Sequence, residues 1–128
     1  MTNGAWFVMF PKTRLPTEAA VKAALAKVRD SKVTKTAEME FTVAVGRTSF
    51  DVTLNDRSWV ATETREVVER KGESLANPDE VRTYDSRFEL LFDHRDMGDL
   101  FGHLFSAAEK LAKLTNGVVY ESDNGVFQ

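Results

Sequence analysis

The chain has 128 residues, no cysteine, 42% hydrophobic and 29% charged residues, and a formal net charge of −3. This is the size and balance of one globular domain with its own core. It excludes a disulfide framework, thiol chemistry and a cysteine-based zinc site. The longest apolar stretch, residues 5–11, is far shorter than the roughly 20 residues needed to span a bilayer. No charged segment followed by a long apolar run marks a secretory signal, so the expectation is a cytoplasmic protein with no membrane association.

Residues 5–10, Ala-Trp-Phe-Val-Met-Phe, are apolar at both alternating sets of positions. A strand with no polar side belongs inside a sheet, covered on both faces. Pro16 then stands at the entrance of a helix over 17–29, where Val21, Leu25 and Val28 recur at helical spacing. Residues 31–36 read as a polar connection. Strict alternation at 38–45 and 50–54 predicts a hairpin, with Val45 opposite Phe50, Val43 opposite Val52, Phe41 opposite Leu54, and a four-residue loop.

Residues 57–71 carry helix formers together with Val60, Thr62 and Thr64, which also suit a strand; the reading here is helix. Asn77-Pro78 marks a loop. Residues 84–93 alternate as a strand, with Phe88, Leu90 and Phe92 on one side and Arg87, Glu89, Leu91 and Asp93 on the other. The longest helix follows, with Asp96 as its N-cap and Asp99 near its positive end. Its apolar stripe takes in Leu100, Phe101, Leu104, Phe105, Ala108, Leu111 and Ala112. Gly98 and Gly102 lie inside it, and close packing on the sheet would account for them. Asn116-Gly117 stops the helix, 118–120 form a short strand, and Asn124-Gly125 turns the chain before Val126 and Phe127. The order β-α-β-β-(α)-β-α-β over residues 1–128 describes one α+β domain. It has a single mixed or mostly antiparallel sheet with helices packed mainly on one face. The first strand is apolar on both sides, so the second face needs a cover. Candidates are segment 57–71, a second copy of the chain, or a foreign partner.

No phosphate-binding glycine loop, nucleophile elbow or metal-binding signature occurs, so the reading assigns no catalytic residue, no cofactor and no metal. Two clusters are candidates for a small enzyme or ligand-binding domain. One is the hairpin carboxylates Glu38, Glu40 and Asp51; the other is the stretch from Asp93 to His103, where Asp99 and His103 share a helix face. Helix capping and solvation account for both. Charge is distributed unevenly. Residues 12–35 hold seven basic side chains against two acidic, and residues 79–99 seven acidic against three basic. The basic segment lacks interleaved exposed aromatics and the chain is acidic overall, which argues against nucleic acid. The acidic stretch is the candidate partner-binding surface, through Asp85, Glu89, Asp93, Asp96 and Asp99.

The opening strand Trp6-Phe7-Val8-Met9-Phe10, the amphipathic helix after it, and the closing helix running into Leu114-Thr115-Asn116-Gly117-Val118-Val119-Tyr120-Glu121 resemble small bacterial immunity proteins of polymorphic-toxin and type VI secretion systems. The resemblance implies a cytoplasmic protein that blocks a cognate toxin by direct binding. It carries over no individual functional residue.

Overall fold

A computed structural model describes residues 3–128. Seven strands form one antiparallel sheet: β1 (Asn3–Phe10), β2 (Lys32–Ala37), β3 (Glu40–Val45), β4 (Thr48–Asn55), β5 (Ser86–Asp93), β6 (Val118–Glu121) and β7 (Val126–Phe127). Their spatial order is β2-β3-β4-β5-β1-β6-β7. The helices are α1 (Glu18–Ala26), α2 (Trp59–Lys71), the single turn α3 (Pro78–Val81) and α4 (Met97–Thr115). This is an α+β fold built on one sheet.

β1 explains the arrangement. It lies between β5 and β6, and its side chains serve two cores. Trp6, Val8 and Phe10 join Val21, Leu25, Phe41, Val43, Phe50, Val52, Phe88, Leu90 and the buried side of α4. Phe7 and Met9 point the other way, into a smaller cluster with Val67 and Val68 of α2, Val81, Tyr84, Tyr120 and Phe127. The chain therefore covers this part of the second face itself. Segment 57–71 supplies the cover as a helix, and no second copy or foreign partner is needed over Phe7 and Met9. Burying a large apolar side chain is worth roughly 1.5–3 kcal/mol, which sets the gain from that cover.

Local chemistry fixes the element ends. The Thr17 side chain accepts from the Ala20 N–H at the start of α1 (3.2 Å). At the far end of α4, Asn116 turns left-handed (φ 52°). Arg14 then donates from Nε to the Thr115 carbonyl (2.8 Å) and from Nη2 to that of Asn116 (3.0 Å), satisfying the negative end of the helix. Gly117 follows because any Cβ there would run into the Met9 carbonyl.

Three expectations are corrected. The β3–β4 register is displaced by two residues: Phe41 faces Val52, Val43 faces Phe50, and Val45 faces Thr48. Alternation detects a slip of one residue, which exchanges faces, but a shift of two preserves them. The turn decides instead. Gly46 takes φ +61° as the first of two central residues, giving a two-residue loop. Second, the polar segment 31–36 is largely strand. β2 is an edge strand with Lys32 and Lys35 along it and an irregularity between Lys35 and Ala37, features that discourage pairing with other chains. Glu18 ties this hairpin to α1, accepting from Lys35 Nζ (2.7 Å) and from the Met39 N–H (2.8 Å). Third, Gly98 and Gly102 do not pack on the sheet. A Cβ at either position would meet nothing within 4 Å.

Candidate protein-binding face

The five acidic residues singled out in the sequence do not form one surface. Asp85 lies just before β5 and accepts the Lys12 N–H (2.7 Å). Asp93 ends the same strand, roughly 27 Å away at the usual strand rise. Between them Glu89 is absorbed into an internal network. The Arg87 guanidinium, its side chain 4% exposed, lies 3.8 Å from the centre of the Phe7 ring. It reaches Glu63 of α2 at 2.7 Å and Glu89 at 2.8 Å, while Asn55 donates to Glu89 at 3.0 Å. This buried cation joins α2 to the outer sheet face. No local pattern announces it, because Glu63 lies 24 residues away along the chain.

Asp93, Asp96 and Asp99 do gather, at the end of β5 and the start of α4. Arg95 grips Asp93 with Nη2 at 2.7 Å and Nε at 3.1 Å, and the Arg95 N–H adds a bond of 2.9 Å. The Arg95 side chain first, and that N–H second, hold the Asp93 carboxyl down to about 2. Asp96 takes the N-cap position without a side-chain cap bond. Asp99 is exposed in the first turn. Neither has an ion-pair partner among the described residues. The expected Asp99–His103 pair is therefore not formed, and His103 Nδ1 has no hydrogen-bond partner. His94 turns instead toward Asp123 (Nδ1 to Oδ2, 3.9 Å).

A different side of α4 carries a feature the sequence did not isolate. Phe101 and Phe105, one turn apart on α4, are 50% and 41% exposed. The Phe101 ring stands edge-on to buried Trp6, with centroids 5.7 Å apart. In the cross-strand row Trp6–Glu121–Val126, Val126 is also exposed on this side of the sheet. Gly98 and Gly102 leave open space beside the two rings. The width of the stripe was the available signal. At 100° per residue, Leu100, Leu104, Ala107, Ala108, Leu111 and Thr115 fill the face that meets the sheet. Phe101 and Phe105 lie beyond its edge.

The hairpin carboxylates meet the acidic stretch of β5 on the opposite side of the sheet. Asp51 pairs with Leu91, and Thr53, which faces Glu40, pairs with Glu89. Glu38 sits in the turn before β3. Asp51 accepts from Thr42 Oγ1 (2.8 Å). Two shallow depressions mark this bare half-sheet. One, about 330 Å³, lies around Ser49, Asp51, Leu91 and Asp93; the other, about 340 Å³, around Glu40, Thr53, Asn55 and Glu89. Among the described residues, no three of His, Asp and Glu are grouped to hold a metal ion, and no helix is long and apolar enough to cross a membrane.

Of the two acidic regions, the start of α4 alone lies on an element that also carries large exposed aromatic rings. No family model, curated protein or solved structure matches the chain.

Proposed function

We propose that this chain is a non-catalytic protein-binding module: a bacterial, cytoplasmic immunity protein that neutralises a cognate basic toxin domain by direct binding. The observation that carries the reading is the half-exposed pair Phe101 and Phe105 on α4, the helix whose first turn also carries Asp96 and Asp99, neither of them in an ion pair. Aromatic side chains at the centre of a contact supply most of its energy once water is excluded. Free carboxylates at the start of the same helix attract a basic partner at long range without first breaking an ion pair. The underlying Trp6 holds the Phe101 ring in place before binding, which lowers the ordering cost.

The test is calorimetric titration of the purified chain with the domain encoded directly upstream of its gene. A one-to-one complex is expected. Phe101→Ala with Phe105→Ala should weaken it at least about a hundredfold, since central aromatic anchors contribute about 2 kcal/mol each. Absence of binding, or full affinity in the double variant, would overturn the reading.

A further inference from the structure

We propose that the groove between α1 and α4 is a docking site for an acidic amphipathic helix of a partner protein. Ala24 and Lys27 of α1 line it with Lys110, Lys113 and Leu114 of α4, around a volume of about 300 Å³. The basic stretch 12–35 supplies one wall. Four of its seven cations are engaged within the chain: Lys12 with Asp56, Arg14 with Glu80, Arg29 with Asp30 and Lys35 with Glu18. Lys27, Lys110 and Lys113 have no ion-pair partner among the described residues. Lys110 makes only a hydrogen bond to Ser106 (3.0 Å). Capping does not account for the two on α4, because Arg14 already meets the carbonyls at that helix end. Three ammonium groups therefore share one groove with no carboxylate among its lining residues, and an acidic occupant relieves their mutual repulsion.

The floor decides the rest of the chemistry. Ala24 and Leu114, the latter 38% exposed, place apolar surface between the charges. An apolar stripe bordered by carboxylates is its complement. The trough is too open to enclose the roughly 70% or more of its surface that a small ligand needs buried. No aromatic ring lines it to stack a base, which disfavours a nucleic acid. Ala20 and Ala23 stand one turn from Ala24 and Lys27 on the same flank of α1, so a partner helix can approach closely with no long side chain to displace. Its carboxylates then reach Lys27 on one wall and Lys110 and Lys113 on the other. The site is separate from the Phe101 side: nine residues at 100° each put Lys110 half a turn round α4 from Phe101.

Titration of isotope-labelled protein with a synthetic helical peptide, a leucine stripe flanked by glutamates, tests it in low salt by amide chemical shifts. Saturable binding is expected, with shifts centred on residues 20–27 and 110–114. Lys27→Glu with Lys113→Glu, both exposed positions, should weaken binding at least about tenfold. Replacing the peptide's glutamates by lysine, or its leucines by serine, should do the same. Phe101→Ala with Phe105→Ala should leave the peptide affinity unchanged, which separates this site from the face proposed for the basic partner. No binding up to about 1 mM peptide, equal binding by the charge-reversed variant, or shifts confined to the Phe101 and Phe105 side would overturn the proposal. Retention by phosphatidylglycerol vesicles or duplex DNA, lost in the charge-reversed variant while the peptide gives nothing, would reassign the groove and overturn it equally.

Discussion

Replacing Arg87 by Ala should be among the most destabilising single changes in the molecule. The substitution removes a guanidinium whose side chain is 4% exposed and which lies 3.8 Å from the Phe7 ring centre. It leaves Glu89, itself only 18% exposed, with Asn55 as its remaining donor. Breaking a buried ion pair by deleting one partner costs about 3–5 kcal/mol, because the other charge stays out of water. Glu63 is 39% exposed and recovers solvent, which places the expected loss near 3 kcal/mol rather than 5. Arg87→Met with Glu89→Gln should regain at least half of it, since the apolar stem is kept and the stranded charge removed. Urea denaturation followed by far-UV circular dichroism measures both. A loss under about 1 kcal/mol for Arg87→Ala, with an unchanged denaturant slope, would refute the argument that this cation fastens α2 to the sheet.

Two other perturbations have definite signs. The Glu18 carboxyl is held below its ordinary 4.5, chiefly by Lys35 and then by the Met39 N–H, and Asp93 is lowered from 3.8 to about 2 by Arg95. Groups with depressed folded-state values contribute stability above pH 4.5, and it is lost as the pH falls toward 2. Denaturation at stepped pH should show this decline, and Glu18→Gln should make it shallower. An unchanged slope would remove the Glu18 contribution. Gly98→Ala and Gly102→Ala should each raise monomer stability by about 1 kcal/mol, because a Cβ meets nothing there and Ala is the better helix former. Thermal melts at low micromolar concentration check this, and destabilisation would show an unrecognised packing role.

Much of the fold was legible in the sequence because periodicity follows burial. The two-sided apolar character of β1 announced a covered strand, and Asn116-Gly117 and Asn124-Gly125 announced their turns. What escaped depended on contacts that leave no local trace. Faces survive a two-residue shift, so the β3–β4 register rested on the conformation of Gly46. β2 buries no large side chain of its own and forms because β3 offers an edge and Glu18 holds the hairpin. In the candidate site, Asp93, Asp96 and Asp99 were legible as a cluster, while Asp85 and Glu89 were grouped with them by chain proximity alone. Phe101 and Phe105 were read as core, since an apolar residue at the margin of a helical stripe has the same spacing whether or not anything covers it.

The central claim is that the acidic start of α4 guides a basic partner onto Phe101 and Phe105. Stopped-flow association with the upstream-encoded domain, across a salt series, measures that guidance directly. Asp96→Lys with Asp99→Lys should slow association at least tenfold in low salt, with the difference shrinking as salt screens it. Asp51→Lys, on the opposite face of the sheet, should leave the rate unchanged. Equal rates for wild type and the α4 variant at every salt concentration, or slowing by Asp51→Lys alone, would contradict the account.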